Sequence, residues 1–345
     1  MVTAAELPKG LVYIRDSQPG IIRKKRGRGF TFLDKDNQKL SDSSHLARIE
    51  DLVIPPAWKN VWISPKKNSY LQATGVDDKG RKQYLYHTKW SEYSSKIKYN
   101  DLLKFGFYLP KLRERYQKDL RKKTWDKNKV LALATALLDE LHLRVGNKQY
   151  TETNKTHGLT TLRRKHLKED GSNLLINYIA KSGKERSVAL TNKRLIRLLK
   201  DCSQLPGHDL FRYQEDGKWY TVDSSELNEY ISHEAPEGDY YTAKYFRTWG
   251  ANCVCIKHTD KVATLCQESR KKPETTLIKM VAEDMGHTVA VCKSSYLHPV
   301  ILSQCLNPEE IKYCLPNDFS EEGYKSEEIK LMQILCSQVS EHVTS

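Results

Sequence analysis

Apolar side chains recur at three- and four-residue spacing from Asp126 to Leu143, through Val130, Leu133, Ala134, Leu137, Leu138 and Leu141. That period predicts a helix with one buried face, with Asp126 as its N-cap and Gly146 as its stop. Residues 1–95 follow another pattern. Leu11–Ile14, Gly29–Leu33, Val61–Ser64, Tyr70–Thr74 and Arg81–His87 are short segments bounded by Gly, Pro, Asp and Asn, which predicts strands. Between them, Ser43–Leu52 has helical spacing. Ile54-Pro55-Pro56-Ala57-Trp58 is a loop, because neither proline fits a helix interior. From residue 88 the pattern turns helical; Trp90–Leu120 reads as a basic connector interrupted near Gly106 and Pro110. Leu159–Leu162 with a continuation to Leu167, Leu174–Ala180 and Arg186–Leu190 read as three strands. The last two are joined by Lys181-Ser182-Gly183-Lys184, with Gly for a positive φ. Helices follow at 192–200, 224–231, 242–258, 273–285, 289–294, 299–305 and 326–343. The expected class is α+β: a strand-rich N-terminal domain over 1–95, then a mainly α-helical domain over 96–345 with a small three-stranded sheet.

Composition narrows the partner. The chain has 345 residues, enough for a sizeable core, and a formal net charge of +14. Such a balance favours a polyanion, nucleic acid first. No run of about 18 apolar residues predicts a membrane span, and the N-terminus lacks the basic and apolar regions of a secretory signal. All eight cysteines lie between Cys202 and Cys336, without a Cys-x-x-Cys pair, so they read as reduced, buried residues rather than metal ligands. No Gly-x-x-x-x-Gly-Lys-Ser/Thr loop is present for a nucleotide.

Several cations stand where packing does not ask for them. Arg144, fourteen positions after Val130, returns to within roughly 40° of the buried stripe of that helix; the bland alternative is a salt bridge to Asp139 or Glu140. Lys244 and Arg247, three apart on a predicted helix, share a face and repel unless an anion lies near. A hairpin lysine such as Lys181 can enter a groove or merely aid solubility. Arg23-Lys24-Lys25-Arg26-Gly27-Arg28 reads as a flexible loop that could touch phosphate. In the last N-terminal strand, alternation sets Arg81, Gln83 and Leu85 on one face and Lys82, Tyr84 and Tyr86 on the other. Lys with two Tyr makes a poor core and a good nucleic-acid surface, while Arg and Gln can read guanine and adenine edges.

These cations suit a tyrosine nucleophile attacking a phosphodiester. Its phenol has a reference pKa of about 10 and needs help at neutral pH. Two arginines and a histidine would stabilise charge on the non-bridging oxygens, and a lysine could protonate the leaving 5′-oxygen. The bond energy stays in the phosphotyrosine, so neither ATP nor metal is required. Tyr296 and His287 are the candidates downstream. One unbroken helix would hold them about 13 Å apart on nearly opposite sides. Both reach one phosphate only if His287 precedes the helix, as Gly286 and Thr288 favour, or the helix breaks before Tyr296.

Leu143-Arg144-Val145-Gly146-Asn147, Lys181-Ser182-Gly183-Lys184, Lys244-Tyr245-Phe246-Arg247-Thr248-Trp249 and Gly286-His287-Thr288 with Tyr296 resemble the small type IB DNA topoisomerases of poxviruses, giant DNA viruses and bacteria. The Ile54–Trp58 loop, Leu71-Gln72-Ala73-Thr74-Gly75 and Gly80-Arg81-Lys82-Gln83-Tyr84 match the same family, in order, over nearly the whole chain. The resemblance implies a DNA-binding domain followed by the DNA breaking-rejoining fold shared with tyrosine recombinases. It implies relaxation of supercoiled duplex DNA through a 3′-phosphotyrosyl intermediate, by a monomer that clamps the duplex, without cofactor or membrane. The location would be intracellular: a virion or viral replication site, or a nucleoid in a bacterium. By it, Arg144, Lys181, Arg247, His287 and Tyr296 form the catalytic set. DNA contacts are implied for Arg81, Lys82, Gln83, Tyr84, Tyr86, Tyr150 and Lys244. Ala180 stands where the family usually has Gly, which keeps Lys184 open beside Lys181. Asn147 replaces a lysine of the poxvirus enzymes, and bacterial relatives often have Asn at the position of His287. His298 reads as structural. Two alternatives stand: a tyrosine recombinase or integrase, which usually shows His-x-x-Arg where this chain has Lys244-Tyr245-Phe246-Arg247, and a DNA-binding protein without catalysis.

Overall fold

The computed structural model describes residues 7–78, 80–269, 272–307 and 315–343. The chain divides into two compact units, 1–100 and 101–345.

The first unit is a five-stranded antiparallel sheet with a short helix. Its strands are β1 (Ile21–Arg26), β2 (Gly29–Leu33), β3 (Lys59–Ile63), β4 (Leu71–Val76) and β5 (Lys82–Tyr86), in the order β2-β1-β3-β4-β5. Helix α1 (Ser43–Asp51) is capped by Asp42 and buries Ile49 beside Ile21, Val61, Ile63 and Ala73. Two expectations fail here. Leu11–Ile14 is not a strand; only Val12 bridges, to Ser69. The basic run is not a flexible loop. It is β1, paired on both sides, and the chain turns only at Gly27. Alternation explains it: Ile21 and Arg23 point inward. Arg23 spends its donors on the carbonyls of Ile54 (3.2 Å), Pro55 (3.0 Å) and Trp58 (2.7 Å), satisfying the proline loop.

Helix α2 (Thr88–Leu120) runs unbroken, against the expected interruption. Pro110 removes the bond to the Gly106 carbonyl, and the Tyr324 hydroxyl donates to that oxygen instead at 2.9 Å.

In the second unit the core gathers around α3 (Lys127–Leu141), in which residues 129–139 are all buried. Asp126 caps it, as the pattern predicts, but it stops at His142 in the left-handed region (φ 50°), not at Gly146. Helix α4 (Lys148–Asn154) follows. Residues 159–161 form a 3-10 turn rather than a strand. The three-stranded sheet is β6 (Leu167–Asp170), β7 (Asn173–Ala180) and β8 (Lys184–Leu190), in that order. Helix α5 (Lys193–Ser203) packs Leu195, Leu198, Leu199 and Cys202 inward. A hairpin unmarked in the sequence, β9 (Arg212–Glu215) and β10 (Lys218–Thr221), precedes α6 (Ser224–Ser232). Then come α7 (Ala243–Ser269), α8 (Pro273–Met285), α9 (Val289–Ser295), α10 (Pro299–Leu306) and α11 (Ser326–Val343). No helix among the described residues is long and apolar enough to cross a membrane.

Candidate active site

Four of the sequence-predicted residues meet at one point of the second unit; Arg144, His287 and Tyr296 stand at breaks in regular structure, and Arg247 on a helix. Helix α3 ends at Leu141, three residues before Arg144, so Arg144 lies in a loop and the helical-stripe argument does not apply to it. Its backbone is fixed instead: the Arg144 carbonyl accepts from the Leu159 amide at 2.7 Å and that of Val145 from the Thr160 amide at 2.7 Å. Nor does Arg144 form the salt bridge of the bland alternative. Asp139 holds Arg113 at 2.8 Å and Glu140 holds Lys325 at 3.3 Å.

Arg247 sits on α7, one turn before Gly250. A Cβ at Gly250 would lie 2.4 Å from the His142 imidazole, so only glycine lets α7 approach the end of α3 this closely. The close approach brings the Arg247 guanidinium to the His142 carbonyl, to which it donates; it also donates to the Met285 carbonyl at 3.1 Å and to His287 Nε2. Lys244, on the same helix, is exposed, so the two cations are separated by burial rather than held together.

Gly286 ends α8 with φ 63°, and Thr288 caps α9 through a bond to the Val291 amide. His287 falls between the helices, and Tyr296 comes just after α9. The two rings stack with centroids 3.9 Å apart. Both conditions raised by their spacing are thus met: His287 precedes the helix, and the helix ends before Tyr296. Asn252 on α7, which carried no sequence signal, donates to the Tyr296 carbonyl at 3.0 Å and accepts from the His298 amide at 2.9 Å. His298 caps α10 through the Val300 amide, a structural role.

The electrostatics follow from crowding cations in a dry place. Arg247, His287 and Tyr296 are only 6%, 7% and 8% exposed. Burial opposes ionisation of the Tyr296 phenol, but the charges of Arg247 and Arg144, with hydrogen bonds from both, outweigh it and lower its pKa. Burial and then the charges of Arg247, Arg144, Arg186 and Lys184 hold His287 down to about 3, so its imidazole is neutral. Burial and Arg144 lower Arg247 to about 10, still cationic at neutral pH. Because Arg247 donates to Nε2, the imidazole hydrogen lies on Nδ1. That Nδ1 and Arg247 Nε are buried without a hydrogen-bond partner, two donors turned to no acceptor.

Lys181 is not drawn into this cluster. It stands exposed on the tip between β7 and β8, where Ser182 (φ 69°) and Gly183 (φ 73°) turn the chain. Of the two candidate lysines it is Lys184 whose charge acts on His287. Arg186, absent from the sequence prediction, bonds to the last turn of α8.

The first unit carries the other predicted residues on its edge strand. Lys82, Tyr84 and Tyr86 are exposed on one face of β5, as alternation predicts. Tyr84 and Tyr86 stack at 6.1 Å, and Lys82 pairs with Asp16 at 2.5 Å. Arg81 lies just before the strand; Arg81 and Gln83 are both held by the Asp77 carboxylate, at 2.8 and 2.9 Å. Tyr150 is in α4, and its side chain lies outside the described residues.

Residues 87–312 match the family model for the eukaryotic DNA topoisomerase I catalytic core, and residues 29–77 that for the bacterial DNA topoisomerase IB N-terminal domain. DNA topoisomerase 1B of Acanthamoeba polyphaga mimivirus is 35% identical over 287 residues, 81% of this chain and 85% of that protein. DNA topoisomerase 1B of vaccinia virus (strain Copenhagen) is 26% identical over 235 residues, 66% of this chain and 70% of that one. A solved XerH site-specific recombinase bound to a palindromic difH substrate aligns at 16% identity with a TM-score of 0.37, over 59% of this chain and 50% of its own.

Proposed function

The chain belongs to the type IB DNA topoisomerases, and from that premise we propose that Tyr296 is the nucleophile with which it relaxes supercoiled duplex DNA. The observation that carries this reading is the Tyr296 hydroxyl, hydrogen-bonded by Arg144 and Arg247 beside His287.

The Tyr296 oxygen attacks the scissile phosphorus. The P–O bond to the 5′-oxygen breaks, and the DNA 3′ end is left on tyrosine. Arg144 and Arg247 offer planar donors to the non-bridging oxygens, where charge grows in the transition state. The neutral His287 imidazole and Arg247 Nε supply two further donors that only a bound acceptor satisfies. A hairpin lysine, Lys181 by family position, protonates the leaving 5′-oxygen. Rotation of the free end and the reverse reaction complete relaxation. No bond energy is lost in the exchange, so ATP has no task, and the arginines provide the positive charge that a metal ion would otherwise bring. In the N-terminal unit, Lys82, Tyr84 and Tyr86 face the duplex, with Arg81 and Gln83 at base edges; in the second, Lys244 and Tyr150 contact DNA. The protein works as a monomer around its duplex, inside the cell or virion where that DNA lies.

A supercoiled plasmid incubated with the protein and a chelator, without nucleotide, tests the reading. Relaxation by the wild type and none by Tyr296→Phe is the expected result; relaxation by Tyr296→Phe refutes it.

A further inference from the structure

The proton donor and the rest of the site are carried by different segments. Lys181 and Lys184 lie at the tip of the β7–β8 hairpin, where residues 181–184 are all exposed. His287 and Tyr296 belong to the corner formed by α8 and α9. Whatever fixes the hairpin to that corner sets where the proton arrives.

Arg186 stands on β8 two residues past Lys184, opposite Tyr178 across the ladder. Its guanidinium donates to the Glu283 carbonyl at 3.1 Å and to the Asp284 carbonyl. These oxygens belong to the last turn of α8, where the helix dipole is negative; the Glu283 carbonyl also accepts from the Gly286 amide at 3.1 Å. One planar fork spans both. The next two residues are Gly286 and His287. A Cβ at Gly286 would lie 2.6 Å from Arg186 Nη1, so the turn that presents His287 closes directly against this side chain.

We propose that Arg186 is a positioning residue for DNA cleavage, tying the lysine-bearing hairpin to the end of α8 so that the general acid meets the phosphate held by His287 and Tyr296. The inference rests on the hairpin lysine being that acid. The Arg186 guanidinium is engaged by the two α8 carbonyls, so the role argued for it is to hold backbone. Lysine in its place would keep the charge but lose the fork that spans two carbonyls.

A DNA whose scissile 5′-bridging oxygen is replaced by sulfur separates this role from a general structural one. Tyr296 oxygen forms its bond to phosphorus, the P–S bond breaks, and sulfur leaves with the electron pair as a thiolate. A thiol with a pKa of about 8.5 needs no proton to leave, so a misplaced acid costs nothing. Single-turnover cleavage is measured on oxygen and sulfur substrates for the wild type, Arg186→Ala and Arg186→Lys. The expected result for Arg186→Ala is a loss of tenfold or more on oxygen, inside the about 10²–10⁴-fold that general acids contribute, and a rate within about threefold of the wild type on sulfur. Arg186→Lys falls between, and recovery on sulfur itself shows that the variant is folded. An equal loss on both substrates, or no loss on oxygen, overturns the proposal. Lys181→Ala and Lys184→Ala run alongside: the variant rescued by sulfur identifies the acid. If neither is rescued, the acid assignment falls, while the two Arg186→Ala rates still decide the role of Arg186.

Discussion

His287 and Tyr296 are nine residues apart in the chain and stack ring on ring, with planes 21° apart. A continuous helix would keep them about 13 Å apart. The contact exists because Gly286 ends one helix in the left-handed region and Thr288 starts the next. Arg247, reaching in from α7, donates to the same imidazole and to the phenol oxygen. Each ring thereby senses the cations that would hold a phosphate.

The phenol should show this in its pH dependence. Cleavage through the phenolate rises with pH up to the pKa of Tyr296, which burial opposes and Arg247 and Arg144 bring below its usual value of 10.0. Removing a cation destabilises the phenolate, so Arg247→Ala should move the rising limb to higher pH and slow neutral cleavage by about 10²–10³-fold. A single-turnover profile with an unmoved limb would contradict the account.

His287 should stay neutral in the free protein. Burial and four nearby cations hold it at about 3, so its ring signal in NMR should not titrate between pH 7 and 5. Bound DNA brings negative charge and should raise that pKa. The unfolded chain, with an ordinary histidine near 6.5, takes up the proton first. Stability from this group is therefore complete above 6.5 and is lost as pH falls towards 3. His142 and His166, each at about 4, act in the same direction. His287→Gln should make the fall in urea midpoint below pH 6.5 shallower; an unchanged fall counts against it.

On the N-terminal unit, Lys82 pairs with Asp16 in the free protein and should exchange it for a phosphate when DNA binds. Lys82→Ala should weaken binding to all sequences alike and reduce the slope of log affinity against log salt by about 1. Tyr84→Ala, losing an uncharged surface, should weaken binding with the slope kept. Binding titrations at several salt concentrations distinguish the two, and equal slopes for wild type and Lys82→Ala would remove Lys82 from the interface.

Arg113 joins α2 to two carboxylates, Asp139 at 2.8 Å and Glu328 at 2.7 Å, all nearly buried. Glu328 also accepts from the Trp249 indole at 2.9 Å. Glu328→Ala strips the Trp249 indole of its acceptor and Arg113 of one of its two carboxylates, and should cost about 3–5 kcal/mol, read from urea denaturation. A loss under about 1 kcal/mol would show that the network is not a stabilising joint.

Much of this was legible from spacing and residue type. The helices α5, α6 and α8 to α11 fall close to their predicted spans, α7 runs on to Ser269 past its predicted end at 258, and α8 begins and ends at its Pro273 and Gly286 signals. The alternation in β5 placed Lys82, Tyr84 and Tyr86 together. Positions decided by tertiary contacts were not legible. A run of five cations in six residues looks like loop, and β1 is a strand because Arg23 is needed by carbonyls of a distant proline loop. Gly106 and Pro110 look like a break, and α2 persists because Tyr324, far along the chain, takes up the freed carbonyl. Arg144 was found from the family motif, whereas the geometric argument for it assumed a helix that ends at His142. Asn252 and Arg186 had no signal at all: their roles lie in bonds to backbone carbonyls, which a sequence does not display.

The central claim is that Tyr296 forms the bond to DNA. The most direct measurement stops the reaction with denaturant on a duplex labelled separately at each end, then identifies the modified peptide by mass spectrometry. The account predicts one adduct, on Tyr296, joined to the 3′ end of the broken strand and absent from Tyr296→Phe. An adduct on another residue, a 5′ linkage, or an adduct that survives in Tyr296→Phe would contradict it.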